Sequence, residues 1–122
     1  MTWLYDVKKK SFYRNGIFMF YALYAGATGY KNDSQYECVV NKGPLPRGKY
    51  RIIGAPFTHE IAGRFTLRLH PYATNNMCGR GGFLIHGDSI AHPGEASNGC
   101  IVAAPAYRRT IWESGDKEVL VR

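Results

Sequence analysis

Hydrophobic and polar positions alternate with a period of two over much of the chain, the spacing of a strand with one buried face. Trp3, Tyr5 and Val7 set the pattern at the start. Ser11-Phe12-Tyr13 and Ile17-Phe18-Met19 flank Asn15-Gly16, a pair suited to the positive φ angles of a two-residue turn, and so predict a hairpin. The apolar run 17–27 is too short to cross a membrane and carries Tyr21 and Tyr24, which fits a paired strand or hairpin arm. Pro44, Pro46 and Gly48 mark a tight turn ahead of the strand-like Tyr50-Arg51-Ile52-Ile53. Over residues 64–70 the alternation is regular: Phe65, Leu67 and Leu69 are expected in the core, with Arg64, Thr66, Arg68 and His70 on a wet face able to line a groove.

Phe83-Leu84-Ile85 reads as a buried strand, and Cys100-Ile101-Val102 opens another. One stretch is helical: Pro105 suits a first turn, Tyr107 and Ile111 are one turn apart, and Gly115 is placed to end the helix before residues 118–121 return as a strand. The pattern predicts a mainly β fold with one short helix directly after the Cys100 strand. Segments 26–35 and 70–82 are loops, and the second, with Asn75-Asn76 and Gly81-Gly82, is expected to act as a lid.

Composition narrows the class. A chain of 122 residues predicts one domain, 1–122, and no stretch has the length of a membrane span. The net charge of +7 favours an anionic partner, yet the basic residues are dispersed and lack the basic-aromatic stripe of a nucleic-acid platform. Lys8-Lys9-Lys10 reads as a solvated turn. No charged start followed by an apolar stretch marks a signal peptide. The three cysteines, Cys38, Cys78 and Cys100, include no Cys-x-x-Cys pair, and His59, His70 and His92 show no ligand spacing, so neither metal nor cofactor is expected.

The chemistry concentrates in residues 83–102, FLIHGDSIAHPGEASNGCIV. A strand delivers His86 to its exit, and Cys100 follows fourteen residues later in a Ser-Asn-Gly-Cys turn. A free thiol is mostly protonated at neutral pH, so a cysteine nucleophile needs an adjacent base. Gly99 permits a tight turn in which amides near Cys100 can converge on an oxyanion. Asp88, Ser97 and loop carbonyls are the candidates to orient the imidazole, Asn98 is a candidate substrate contact, and His92, beside Pro93, is expected at the loop surface or the substrate's edge. With Cys100 as nucleophile, Cys38 and Cys78 either form a disulfide or remain two free thiols.

At these residues the chain resembles the L,D-transpeptidases of bacterial cell-wall metabolism, which carry a histidine, a spacer of similar length and then Ser/Thr-His-Gly-Cys. It departs at Asn98, where the usual family has a second histidine, and around Val102. It is more similar to the type VI secretion L,D-transpeptidase effector branch, with His-Gly-Asp, Ser-x-Gly-Cys-Ile-Val and an arginine a few residues on, here Arg108. Gly43-Pro44-Leu45-Pro46-Arg47-Gly48-Lys49-Tyr50 and the opening Met1-Thr2-Trp3 resemble the same branch. The resemblance implies a β-sandwich of mixed sheets with a short helix after the nucleophile strand. It further implies that Cys100 attacks the meso-diaminopimelate–D-alanine bond of peptidoglycan tetrapeptide stems, followed by hydrolysis or D-amino-acid exchange, and that Arg108 binds a substrate carboxylate. An effector of this kind would reach the target's periplasm by contact-dependent secretion and meet a periplasmic immunity protein; the sequence leaves the oligomeric state open, with a monomer expected. An NlpC-type peptidase is one alternative, disfavoured because its cysteine precedes its histidine and begins a helix. A non-catalytic wall-binding module is the other, weakened by the intact His86, Gly99 and Cys100.

Overall fold

Asn15 and Gly16 both take positive φ, 54° and 77°, and turn the chain as their sequence demands. In the computed structural model, which describes residues 2–122, they join β2 (Ser11–Arg14) to β3 (Ile17–Tyr21), after β1 (Thr2–Asp6). Met1 of the Met1-Thr2-Trp3 opening lies outside the described residues. Then come β4 (Tyr24–Ala25), β5 (Gly48–His59), β6 (Gly63–Pro71), β7 (Leu84–His86), β8 (Ile101–Val102), α1 (Pro105–Glu113) and β9 (Glu118–Val121). The mainly β architecture with one short helix is thus present, as expected.

The strands form one nine-stranded sheet in the order β3-β2-β1-β9-β5-β6-β7-β8-β4. Pairing is antiparallel except for β1 with β9 and β7 with β8, so the sheet is mixed. Its two edge strands, β3 and β4, are separated along the chain by Ala22 and Leu23 alone. The Ala22 amide donates to the Lys10 carbonyl and the Leu23 amide to the Val102 carbonyl, both at 2.8 Å. The sheet therefore rolls until its edges meet, and one sheet supplies both walls of the core. Trp3, Tyr5, Phe12, Tyr50, Ile85 and Ile101 are fully buried inside it.

The helix starts with Pro105 after Ala104, whose side chain offers no cap. Ile111 is buried against the sheet, and Tyr107 stacks on Phe20 at 4.3 Å between ring centroids. Trp3 Nε1 donates to Ser114 Oγ at 3.0 Å and ties the helix end to β1.

Two expectations are corrected. The alternation over 64–70 breaks at its start: Thr66 is buried, while Phe65 has φ of 51° and is half-buried. The cause is an irregular ladder, in which the register shifts between Ile53 and Phe57 and again before His59, so the strand changes phase. Arg64, Arg68 and His70 do face solvent. The segment 70–82, expected as a lid, is tethered. Cys78 is bonded to Cys38, Asn75 Nδ2 donates to the Lys49 carbonyl at 2.7 Å, and Arg80 is anchored through its guanidinium.

Candidate active site

Strands β7 and β8 run parallel with Ile85 opposite Ile101 and His86 opposite Val102. Leu84 therefore comes level with Cys100, and its amide donates to the Cys100 sulfur at 3.3 Å. His86 stands two residues further along the same strand, on the same face by the two-residue period. Both side chains line one cleft of about 860 Å³, whose walls come from the tip of the β5–β6 hairpin, residues 79–84 and the loop after His86.

The turn before Cys100 is braced from within. Ser97 Oγ donates to the Cys100 carbonyl at 2.7 Å and accepts the amides of Gly99 and Gly26, each at 3.0 Å. Gly99 has φ of 142°, and a Cβ there would lie 2.6 Å from Arg80 Nη2, 2.8 Å from the Phe83 ring and 2.9 Å from the Gly43 carbonyl. Arg80 fills that space. Nη1 donates to the carbonyls of Glu37 (2.6 Å) and Pro44 (3.0 Å), and Nη2 to those of Gly43 (2.9 Å) and Asn98 (3.0 Å).

The imidazole of His86 is 4% exposed, and its Nδ1 lies 2.7 Å from the Gly87 carbonyl. A carbonyl only accepts, so Nδ1 carries the proton and Nε2 presents a lone pair. Burial lowers the His86 pKa below the ordinary imidazole value; the Gly87 carbonyl and Asp88 oppose this, while the charges of Arg108 and His59 add to it. Burial pushes the Cys100 thiol up, against the amides of Leu84 and Cys100 and the charge of Arg80. Both shifts favour the neutral forms, thiol and imidazole, which suits proton transfer on demand rather than a preformed ion pair.

The other expected residues fall into place unequally. Asp88 does not orient the ring: its carboxylate accepts from Tyr24 Oη (2.6 Å) and the amides of Ser89 (2.8 Å) and Gly94, stapling the loop after His86. The orienting partner is the Gly87 carbonyl. Asn98 lines the cleft, and exposed His92 stands at its rim, 3.8 Å from Glu95. Arg108 is not at the cleft mouth. It is 5% exposed, and Nη1 donates to the carbonyls of Arg64 (2.9 Å) and Phe65 (3.2 Å), because α1 packs against β6 and turns this residue inward. A Cβ on residue 87 would meet its Nη2 at 3.0 Å, which places the guanidinium against Gly87, directly after His86.

Three residues of the site carried no readable signal. Arg80 sits in a glycine-rich stretch that looks like a solvent loop. Tyr24 lies in an apolar run, yet its hydroxyl also accepts the Ala96 amide at 2.8 Å. His59, at the end of β5, enters the cleft through the hairpin geometry alone.

The same architecture occurs in solved structures. An L,D-transpeptidase from Mycobacterium smegmatis superposes with a TM-score of 0.58 at 15% identity, covering 99% of this chain and 58% of that one. The L,D-transpeptidase (residues 123–326) from Xylanimonas cellulosilytica DSM 15894 gives a TM-score of 0.53 at 18% identity, with 99% and 59% covered. The chain thus spans under two thirds of either neighbour, and at these identities the likeness is one of fold. No curated protein sequence matches it. The Tlde1 domain does match in sequence over residues 20–119, a span that includes the Pro-x-Pro turn, His86 and Cys100. The chain belongs to the Tlde1 domain family, that of the type VI secretion L,D-transpeptidase effectors.

Proposed function

We propose that this protein is a peptidoglycan-modifying cysteine acyltransferase that cleaves the meso-diaminopimelate–D-alanine bond of tetrapeptide stems. The observation that carries the reading is the pairing of parallel β7 and β8, which sets the lone pair of His86 Nε2 and the Cys100 thiol on one face of one cleft. Family membership supports the substrate.

His86 Nε2 takes the thiol proton as Sγ attacks the carbonyl carbon. The amides of Leu84 and Cys100, which favour the charged sulfur in the free enzyme, stabilise the developing thiolate. The tetrahedral intermediate collapses as the C–N bond breaks, and His86 returns its proton to the departing amine of D-alanine. A thioester remains. Water attacking it, with His86 again as base, yields a tripeptide and free thiol; the amine of a D-amino acid yields an exchanged tetrapeptide. Either outcome removes donor stems from crosslinking, the basis for a toxin acting in the periplasm of a target cell and countered by an immunity protein in the producer.

The test is mass spectrometry of disaccharide-tetrapeptides incubated with the protein or with Cys100→Ala, with and without D-methionine. Loss of one alanine, or its replacement by D-methionine, is expected only with intact Cys100. Unchanged tetrapeptide would sink the reading and move the weight to a wall-binding module.

A further inference from the structure

One cleft side chain has its chemistry fixed by the backbone yet has no part in the steps above. His59 Nδ1 accepts the amides of Ile61 at 3.0 Å and Ala62 at 2.9 Å. An amide N–H only donates, so Nδ1 holds the lone pair and the ring proton sits on Nε2, on the edge of the ring turned away from those amides. The half-buried ring lines the cleft that holds Cys100 and His86. The two histidines are held in opposite tautomers: His86 presents a lone pair, His59 a proton.

The basic side chains lining the cleft are His59, Arg80, His86 and His92. Arg80 spends its guanidinium on four carbonyls, His86 is oriented as a base, and His92 stands at the rim beside Glu95. Arg108 does not line the cleft: it is buried, its Nη1 is on two carbonyls, and its Nη2 packs against Gly87. That leaves His59 to receive an anionic group inside the cleft.

We propose that His59 Nε2–H forms a carboxylate subsite for the terminal amino acid of the stem, an inference that rests on the acyl-transfer reading above. In that residue the reacting nitrogen and the carboxylate share one carbon. Holding the carboxylate on His59 therefore fixes the nitrogen at the reacting carbonyl carbon, both as the C–N bond to D-alanine breaks and as the amine of a free D-amino acid attacks the thioester. The subsite selects substrates with a free terminal carboxylate, and it serves donor and acceptor alike.

His59→Asn separates this role from a structural one, because its side-chain oxygen keeps an acceptor for the Ile61 and Ala62 amides while the reach of Nε2–H is lost. The measurement is kcat/KM for disaccharide-tetrapeptides ending in D-alanine or in D-alaninamide, together with the rate of Cys100 alkylation by iodoacetamide. The native protein should prefer the free carboxylate by about tenfold or more, the scale of one hydrogen bond to a charged group. His59→Asn should lose most of that preference through a fall on the carboxylate donor, with alkylation held at the native rate. Equal turnover of both donors by the native protein, or a full preference retained in the variant, overturns the subsite. So does a variant that loses both donors and alkylation together, which marks a hairpin support. Native protein that cleaves neither donor defeats the acyl-transfer reading itself, and the subsite with it.

Discussion

Arg80 Nη2 donates to the carbonyl of Asn98 at 3.0 Å, and so a residue outside the proposed His86–Cys100 pair holds the turn that presents Cys100. The same guanidinium binds the carbonyls of Glu37, Gly43 and Pro44, which joins three chain segments at one planar group. Lysine cannot reproduce that fork. Arg80→Lys and Arg80→Met should both lower stability, the latter by about 3 kcal/mol, since four carbonyls, three of them in part-buried bonds, lose their charged donor. Thermal melting should show a drop of roughly 10 °C for a chain of this size. A melting point within a degree or two of native in Arg80→Met would remove Arg80 from this role.

Gly99→Ala tests the same turn from the other side. The added Cβ would meet Arg80, Phe83 and the Gly43 carbonyl at 2.9 Å or less, on a backbone with φ of 142°. The turn must shift, moving Cys100 relative to His86. Turnover of tetrapeptide should fall by about 100-fold, in keeping with the cost of an ångström's displacement at a reacting centre. Retained activity would mean that the turn relaxes without disturbing the sulfur.

How much of this could be read from the chain depended on whether the signal was local. Asn15-Gly16, Pro105 and the apolar strand ending at His86 are written in neighbouring residues and fold as read, while the strand expected to open at Cys100 begins one residue later, at Ile101. The phase of β6 was misread because a register shift in its partner β5 moved Thr66 inward, an effect set by the ladder and not by the strand's own pattern. Arg108 was expected to reach a substrate carboxylate, yet the packing of α1 on β6 turned it inward. Arg80 owes its place to contacts across tens of residues, and His59 to the irregular β5–β6 hairpin, for neither of which spacing gives a cue. The Cys38–Cys78 pairing, left open by the sequence, needed the two loops to be seen side by side.

That disulfide closes a loop of 40 residues and tethers the segment leading to Arg80. Chain-entropy reasoning gives a stabilisation of about 4 kcal/mol for such a loop. The double variant Cys38→Ser/Cys78→Ser should melt well below native, and native protein should move toward it in a strong reductant while Cys100 stays competent. Calorimetry with and without reductant checks this. Identical melting curves would show that the loops hold each other without the bond.

The pH dependence of turnover follows from the two shifts at the site. His86 must be neutral to accept the thiol proton, and its pKa is lowered chiefly by burial. The acid limb of kcat/KM should therefore lie below the ordinary imidazole value of 6.5, with activity present above that limb and lost as pH falls through it. Cys100 is raised, again chiefly by burial, so alkylation of the free enzyme should still be climbing at pH 9.0, where an ordinary thiol is half ionised. In His86→Gln the acid limb of turnover should vanish along with nearly all activity, while alkylation at high pH survives. A native acid limb above 7, or an alkylation profile already level by neutral pH, would indicate a preformed thiolate–imidazolium pair. The proton would then have left Cys100 before substrate arrives, and burial would not be what sets the thiol's reactivity.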